Sequence, residues 1–92
     1  MLSRNVTVVN QLGMHARAAA KFVHLATRYQ AHVRVARDSR EIDGKSIMGI
    51  LLLAAARGSA ITITADGTDE RDAVEALAML VESGFSEDAC SA

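Results

Sequence analysis

Residues 4–20 read Arg-Asn-Val-Thr-Val-Val-Asn-Gln-Leu-Gly-Met-His-Ala-Arg-Ala-Ala-Ala. The first six carry Val6 and Val8 at a spacing of two, the period of a half-buried strand over residues 4–9. Asn10-Gln11-Leu12-Gly13 breaks that period, and Gly13 is free to take a turn conformation. From Ala16 the period lengthens. Ala19, Phe22, Val23, Ala26 and Tyr29 share one helical face, with Arg17, Lys21, His24 and Arg28 on the opposite one. His15 stands at the junction, at or next to the N-cap, and Arg17 lies in the first turn on the solvent side. A helix N-terminus presents unpaired N–H groups and the positive end of a dipole, so this handover from strand to helix attracts anions.

The rest of the chain continues the alternation. A second strand is expected over residues 31–37, with Val33 and Val35 inward. Arg37-Asp38-Ser39-Arg40 reads as a hairpin turn, and Glu41-Ile42-Asp43 as a short third strand ending at Gly44. Ser46 is a good N-cap for a helix from Ile47 to about Arg57, closed by Gly58. Residues 60–66 form the clearest strand, with Ile61, Ile63 and Ala65 inward and Thr62 and Thr64 outward. Asp69, Glu70 and Asp72 place carboxylates in the first turn of a last helix, where they complement its dipole. Ala73, Val74, Leu77, Leu80 and Val81 give that helix its buried stripe, Ser83-Gly84 ends it, and Phe85 is expected to pack back. The order β-α-β-β-α-β-α implies an α+β fold, an open-faced β-sandwich. Its four-stranded antiparallel sheet carries three helices on one face. Residues 1–92 are expected to form one domain with a flexible, polar tail from about residue 86.

The helix after Ser46 is unusual because Ile47, Met48, Ile50, Leu51, Leu52, Leu53 and three alanines leave it almost no polar face. One sheet covers only one side of a helix, so an apolar patch of Ile47, Met48 and Leu51 is expected to face solvent as a docking surface. Ordinary core packing is the competing explanation. Ile50, Leu53 and Ala54 belong to the core under either.

Composition narrows the functional classes. Half of the 92 residues are apolar and only Phe22, Tyr29 and Phe85 are aromatic, so the core is aliphatic. Ten basic and eleven acidic side chains nearly cancel. With no basic field and no aromatic stacking platform, nucleic acid is excluded as a partner. The basic residues nevertheless gather in the first half, which suits an acidic protein partner near Arg17. Cys90 is the only cysteine. His15, His24 and His32 have spacings that give no reason to converge, so no metal site is expected. Arg4 and Asn5 interrupt any leader-like apolar run, and the longest such run, Ile50 to Ala56, is too short to span a bilayer. A cytoplasmic protein that does not insert into membranes is expected.

Among motifs, Gly44-Lys45-Ser46 is not a P-loop, because Ser39 stands where that motif needs a glycine. Nothing resembles a nucleophile elbow. What remains is His15 with Arg17. A histidine at a loop–helix junction is more often a capping residue than a nucleophile. Here, though, a neutral imidazole is a competent nucleophile, the N–H groups of Ala16 and Arg17 can receive phosphoryl oxygens, and the Arg17 guanidinium adds charge-assisted bonds.

Gly13-Met14-His15-Ala16-Arg17 with the alanines after it, and Gly44-Lys45-Ser46-Ile47-Met48-Gly49, together resemble the HPr phosphocarriers of the phosphoenolpyruvate-dependent phosphotransferase system. The resemblance runs over about residues 4–85. It implies a stoichiometric carrier with a phosphohistidine intermediate rather than an enzyme, and no cofactor. His15 would take a phosphoryl group on Nδ1 from enzyme I and pass it to an enzyme IIA-type acceptor. Arg17 would assist, and the helix after Ser46 would dock both partners. The Ser46 segment is similar to the target of HPr kinase/phosphorylase, which implies regulatory phosphorylation. A phosphate there adds roughly −1.5 to −2 charges beside the docking patch. Ala18 stands where the family usually has proline, and the expected consequence is a looser site loop with altered transfer rates. The stretch Ser83–Asp88 is similar to the tail of the nitrogen-related branch, whereas the kinase-type motif points to the other branch. The alternative from a different class is a regulatory module of the same fold that docks without phosphotransfer. A small-ligand-binding domain is a more remote one. A monomer is expected.

Overall fold

A computed structural model describes residues 1–10, 13–53 and 55–86. The chain runs β1 (Leu2–Thr7), α1 (Ala16–Ala26), β2 (His32–Arg37), β3 (Arg40–Asp43), α2 (Ile47–Leu53), β4 (Ala60–Asp66) and α3 (Glu70–Glu82), then one 3-10 turn, Gly84–Ser86. The four strands form a single antiparallel sheet in the order β1-β4-β2-β3, the α+β arrangement expected from the element order.

Alternation along the strands decides which side is covered. Val6, Val33, Val35, Ile61, Ile63 and Ala65 are buried on the inner face. The outer face is held by polar cross-strand pairs: Ser3 with Thr64 at 2.8 Å, Thr62 donating to Asn5 at 2.7 Å, and Arg34 donating to Glu41 at 2.9 Å. Such pairs each contribute about 0.2–1 kcal/mol. The helices close the inner face with Ala19, Phe22, Val23 and Ala26 from α1, Ile50 and Leu53 from α2, and Leu77, Ala78 and Val81 from α3. Tyr29 and Leu80 are only half-buried. Phe85 does pack back. It is fully buried, and together with Phe22 it is among the largest side chains of the core. Each such burial is worth about 1.5–3 kcal/mol.

Three element boundaries differ from the sequence reading. α1 ends at Ala26, so Arg28 and Tyr29, expected on its two faces, lie in the turn beyond Thr27, where Arg28 N–H donates to the Leu25 carbonyl at 3.1 Å and Tyr29 N–H to that of Ala26 at 3.2 Å. β1 pairs with β4 over Leu2–Thr7 rather than 4–9, because β4 begins at Ala60, the register partner of Thr7. Val8 stays tied just beyond the ladder, accepting from Gly58 N–H at 2.7 Å and donating to Ser59 at 2.9 Å. α2 ends at Leu53, not near Arg57. The carbonyls of Leu52 and Leu53, which a longer helix would use internally, accept instead from Arg40 at 2.8 Å and Arg37 at 3.1 Å. Gly58, with φ of +89°, sits in a later turn rather than at the helix end. The expectations placed on Gln11, Leu12, Ala54 and residues 87–92, Cys90 included, lie outside the described residues.

Candidate functional site at the mouth of α1

The site is built by pinning the loop ahead of α1 to the chain that follows α2. Asn10 is fully buried, and its Nδ2 donates to the Gly13 carbonyl at 2.7 Å while Gly13 N–H donates to the Asn10 carbonyl at 3.1 Å. Met14 N–H donates to the Ala55 carbonyl at 2.9 Å. Gly13 is required at this crossing. Its φ is +65°, and a Cβ would lie 2.7 Å from the Ala55 oxygen and 2.9 Å from the Ala56 Cα. A left-handed conformation costs an L-residue roughly 1–2 kcal/mol before any clash is counted.

This scaffold delivers His15 as the N-cap of α1, in extended conformation (φ −82°, ψ −178°). Its carbonyl accepts the first helical bond, from Ala19 N–H at 2.8 Å. Its Nδ1 accepts from the Arg17 N–H at 3.2 Å. An imidazole nitrogen that accepts a hydrogen bond has its lone pair in the ring plane and no proton, so in the neutral ring the proton resides on Nε2. The lone pair of Nδ1 therefore points into the helix mouth. His15 is half-buried, and Ala16 and Arg17 are exposed. The capping role of His15 is thus observed, and the atom that carries it, Nδ1, is the one the nucleophile reading requires. Arg17 N–H, expected to be open for an anion, is occupied by the ring in this state.

Ala18, by contrast, is fully buried against the core. Lys21, on the stripe expected to be solvated, donates to the Phe85 carbonyl at 2.8 Å and fastens α1 to the turn after α3.

The second motif forms the mouth of α2. Ser46 Oγ accepts from Gly49 N–H at 3.1 Å, the geometry of an N-cap, and Ser46 is half-buried. Asp43 orders the approach, its carboxylate accepting from Lys45 N–H at 2.9 Å and its carbonyl from Ser46 N–H at 3.2 Å. Lys45 Nζ donates to the Tyr29 carbonyl at 2.8 Å, so this lysine serves as a structural tie. Beyond the cap, Ile47, Met48 and Leu51 are exposed at 42%, 68% and 36%, while Ile50 and Leu53 are buried. Leu52, at 59%, extends the patch. Sequence reasoning missed Leu52, which an all-apolar helix gives no means of assigning. It also missed Asn10, Arg37 and Arg40. α1 packs against both α2 and α3, so the His15 mouth and the apolar patch belong to neighbouring helices. Among the described residues no group of three or more His, Cys, Asp or Glu converges to hold a metal ion, and no helix is long and apolar enough to cross a membrane.

Comparison with known proteins agrees with this geometry. The phosphocarrier protein HPr of Cupriavidus necator is 46% identical over 87 residues, covering 95% of this chain and 98% of that one. HPr-C-His from Thermoanaerobacter tengcongensis superposes with a TM-score of 0.91 at 38% identity, covering 95% and 98% of the two chains. HPr from Bacillus anthracis does so with 0.84 at 44% identity, covering 87% and 95%. A family model described as PTS HPr component phosphorylation site matches residues 2–83. The chain belongs to the HPr family of phosphocarriers of the phosphotransferase system.

Proposed function

We propose that this chain accepts a phosphoryl group from enzyme I on Nδ1 of His15 and hands it to an enzyme IIA-type acceptor. The observation that carries the reading is the 3.2 Å bond from Arg17 N–H to Nδ1, which aims the nucleophilic lone pair into a helix mouth. In the forward step the Nδ1 lone pair leaves that bond and attacks phosphorus, and the bond from phosphorus to the donor breaks. The Arg17 N–H, freed by the departure, then faces a phosphoryl oxygen. The Ala16 N–H and the exposed Arg17 guanidinium supply further donors. The proton on Nε2 makes the ring an imidazolium-like phosphoryl donor, and this favours loss of the group to the next acceptor. The exposed, shallow setting holds the phosphoryl group without burying it, as a carrier requires. Ile47, Met48 and Leu51 dock both partners beside it. The protein works as a monomer in the cytoplasm.

Ser46 is a regulatory phosphorylation site in this reading, modified by an HPr kinase/phosphorylase. Its Oγ lies at the rim of the docking patch, so a dianion there repels the acidic surfaces that Arg17 attracts. The capping role of Ser46 stands either way.

The test is direct. Incubation with enzyme I and phosphoenolpyruvate is expected to add one acid-labile phosphate to the wild-type chain and none to His15→Ala. A wild-type chain that gains no mass leaves only a docking module of the same fold.

A further inference from the structure

The β2–β3 hairpin ends in a pair of arginines. Arg37 and Arg40 are register partners flanking the two-residue loop Asp38-Ser39, with Asp38 at φ +56°. Directly opposed residues in an antiparallel ladder project from the same face, and like charges placed so repel. The hairpin itself gains nothing from this arrangement. Both guanidinia, however, donate to the last carbonyls of α2: Arg40 Nη1 to Leu52 at 2.8 Å and Arg37 Nη1 to Leu53 at 3.1 Å. The terminal carbonyls of a helix lack internal partners and carry the negative end of its dipole, so two cations there are favourable where two cations alone are not. α2 needs the help. It has seven residues and no basic residue of its own in its last turn, and helices this short are marginal in water. The turn being clamped carries Leu51 and Leu52, the C-terminal half of the exposed apolar patch.

We propose that Arg37 and Arg40 are positioning residues for partner docking. They hold the last turn of α2 from outside the helix, so that Leu51 and Leu52 present a preformed apolar surface, and Arg40 adds a cation at the edge of that surface. The inference rests on the docking role given to α2 above. It does not depend on where the phosphoryl group goes.

Four forms of the full-length chain test it: wild type, Arg40→Gln, Arg40→Lys and the double variant Arg37→Gln/Arg40→Gln. Amide hydrogen exchange at Ile50–Leu53 reads the clamp, and steady-state phosphorylation by enzyme I, with this chain as the varied substrate, reads docking. The double variant is expected to exchange about tenfold faster in α2, the scale of losing charge-assisted bonds at a partly exposed site. Its KM is expected to rise about tenfold, with kcat within roughly twofold of wild type. Arg40→Gln should move both readouts part of the way, and Arg40→Lys, which keeps a donor and the charge, should restore most of it. Unchanged exchange in α2 overturns the clamp. Faster exchange with an unchanged KM, or a fall in kcat alone, overturns its role in docking. If the double variant is too unstable to assay, Arg40→Gln, at an exposed position, decides the question by the same two readouts. A wild-type chain that takes no phosphate would refute the carrier reading while leaving the exchange measurement free to judge the clamp.

Discussion

At His15 a single nitrogen has one observed job and one proposed. Nδ1 caps α1 through the Arg17 N–H, and the same lone pair is the proposed nucleophile. Phosphorylation therefore trades a neutral cap for an anionic one at the positive end of a helix, and the exchange costs α1 little. Three positions on, Ala18 is buried in the first turn, where a helical N–H has no carbonyl to reach within the helix. Proline is compatible with such a position, since its fixed φ suits a helix and its missing donor is not needed. Ala18→Pro is expected to stabilise the protein by about 0.4–1 kcal/mol through the unfolded chain. It should also change the rate of phosphoryl transfer from enzyme I by stiffening the turn that bears Arg17. Thermal denaturation and a stopped-flow transfer assay on the same variant check the two halves separately. An unchanged transfer rate would remove Ala18 from any account of the site. The N-cap positions of His15 and Ser46, and the place of Arg17 in the first turn of α1, were legible from residue type and spacing. The role of Asn10 was not, because a buried asparagine closing a turn looks in sequence like any loop asparagine.

Among the elements, α2 shows best how exposure is decided. Ile47, Met48, Ile50, Leu51, Leu52 and Leu53 are alike in hydrophobicity, yet Ile50 and Leu53 are buried and the other four are not. Only the orientation of the helix against the sheet and α1 distinguishes them. Ile47, Met48 and Leu51 do face the open side, as expected where one sheet covers only one side of a helix. Leu52 and the early end of α2 escaped that logic, the latter because the Leu52 and Leu53 carbonyls are captured by a hairpin distant from them in sequence. Met48 is the sharpest probe of the patch. It is 68% exposed in the first turn of α2, where a carboxylate is favoured by the dipole. Met48→Asp is expected to change folding stability by less than about 0.5 kcal/mol while weakening docking to enzyme I about tenfold or more. Urea denaturation alongside a binding titration distinguishes this from simple misfolding. Equal loss of stability and binding would place Met48 in the core energetics instead.

For the molecule as a whole, one carboxylate links elements far apart in the chain. Asp69, at the N-cap of α3, does not cap its own helix. It accepts from the backbone N–H of Gln30 at 2.9 Å and of Ala31 at 2.8 Å, tying the start of α3 to the approach to β2. The Gln30 bond first, and then the Ala31 bond, hold its carboxyl below the ordinary value of 3.8. A folded-state pKa below the unfolded one means that the carboxylate stabilises the fold above pH 3.8, and that this contribution is lost as pH falls through the lowered value. Asp69→Ala is therefore expected to destabilise the protein at neutral pH. Its stability should converge toward that of wild type as pH drops well below 3.8. Urea unfolding of both proteins across that range checks the sign. A gap that widens in acid would refute it.

Sequence by itself determined what short-range physics determines. The switch from a period of two to a longer one set the order of strands and helices, the alternation in residues 60–66 set the inward face of β4, and Ser46 and Ser83-Gly84 marked the start of α2 and the end of α3. The His15–Arg17 pair was visible because both residues lie within one helical turn. Tertiary structure alone decided the β1-β4-β2-β3 order, the pinning of Met14 to Ala55, the clamp of Arg37 and Arg40 on α2, and the crossing of Asp69 to Gln30 and Ala31. Each of these joins groups widely separated along the chain. Their backbone partners carry no side-chain signature, because every residue offers the same carbonyl and every residue but proline the same N–H.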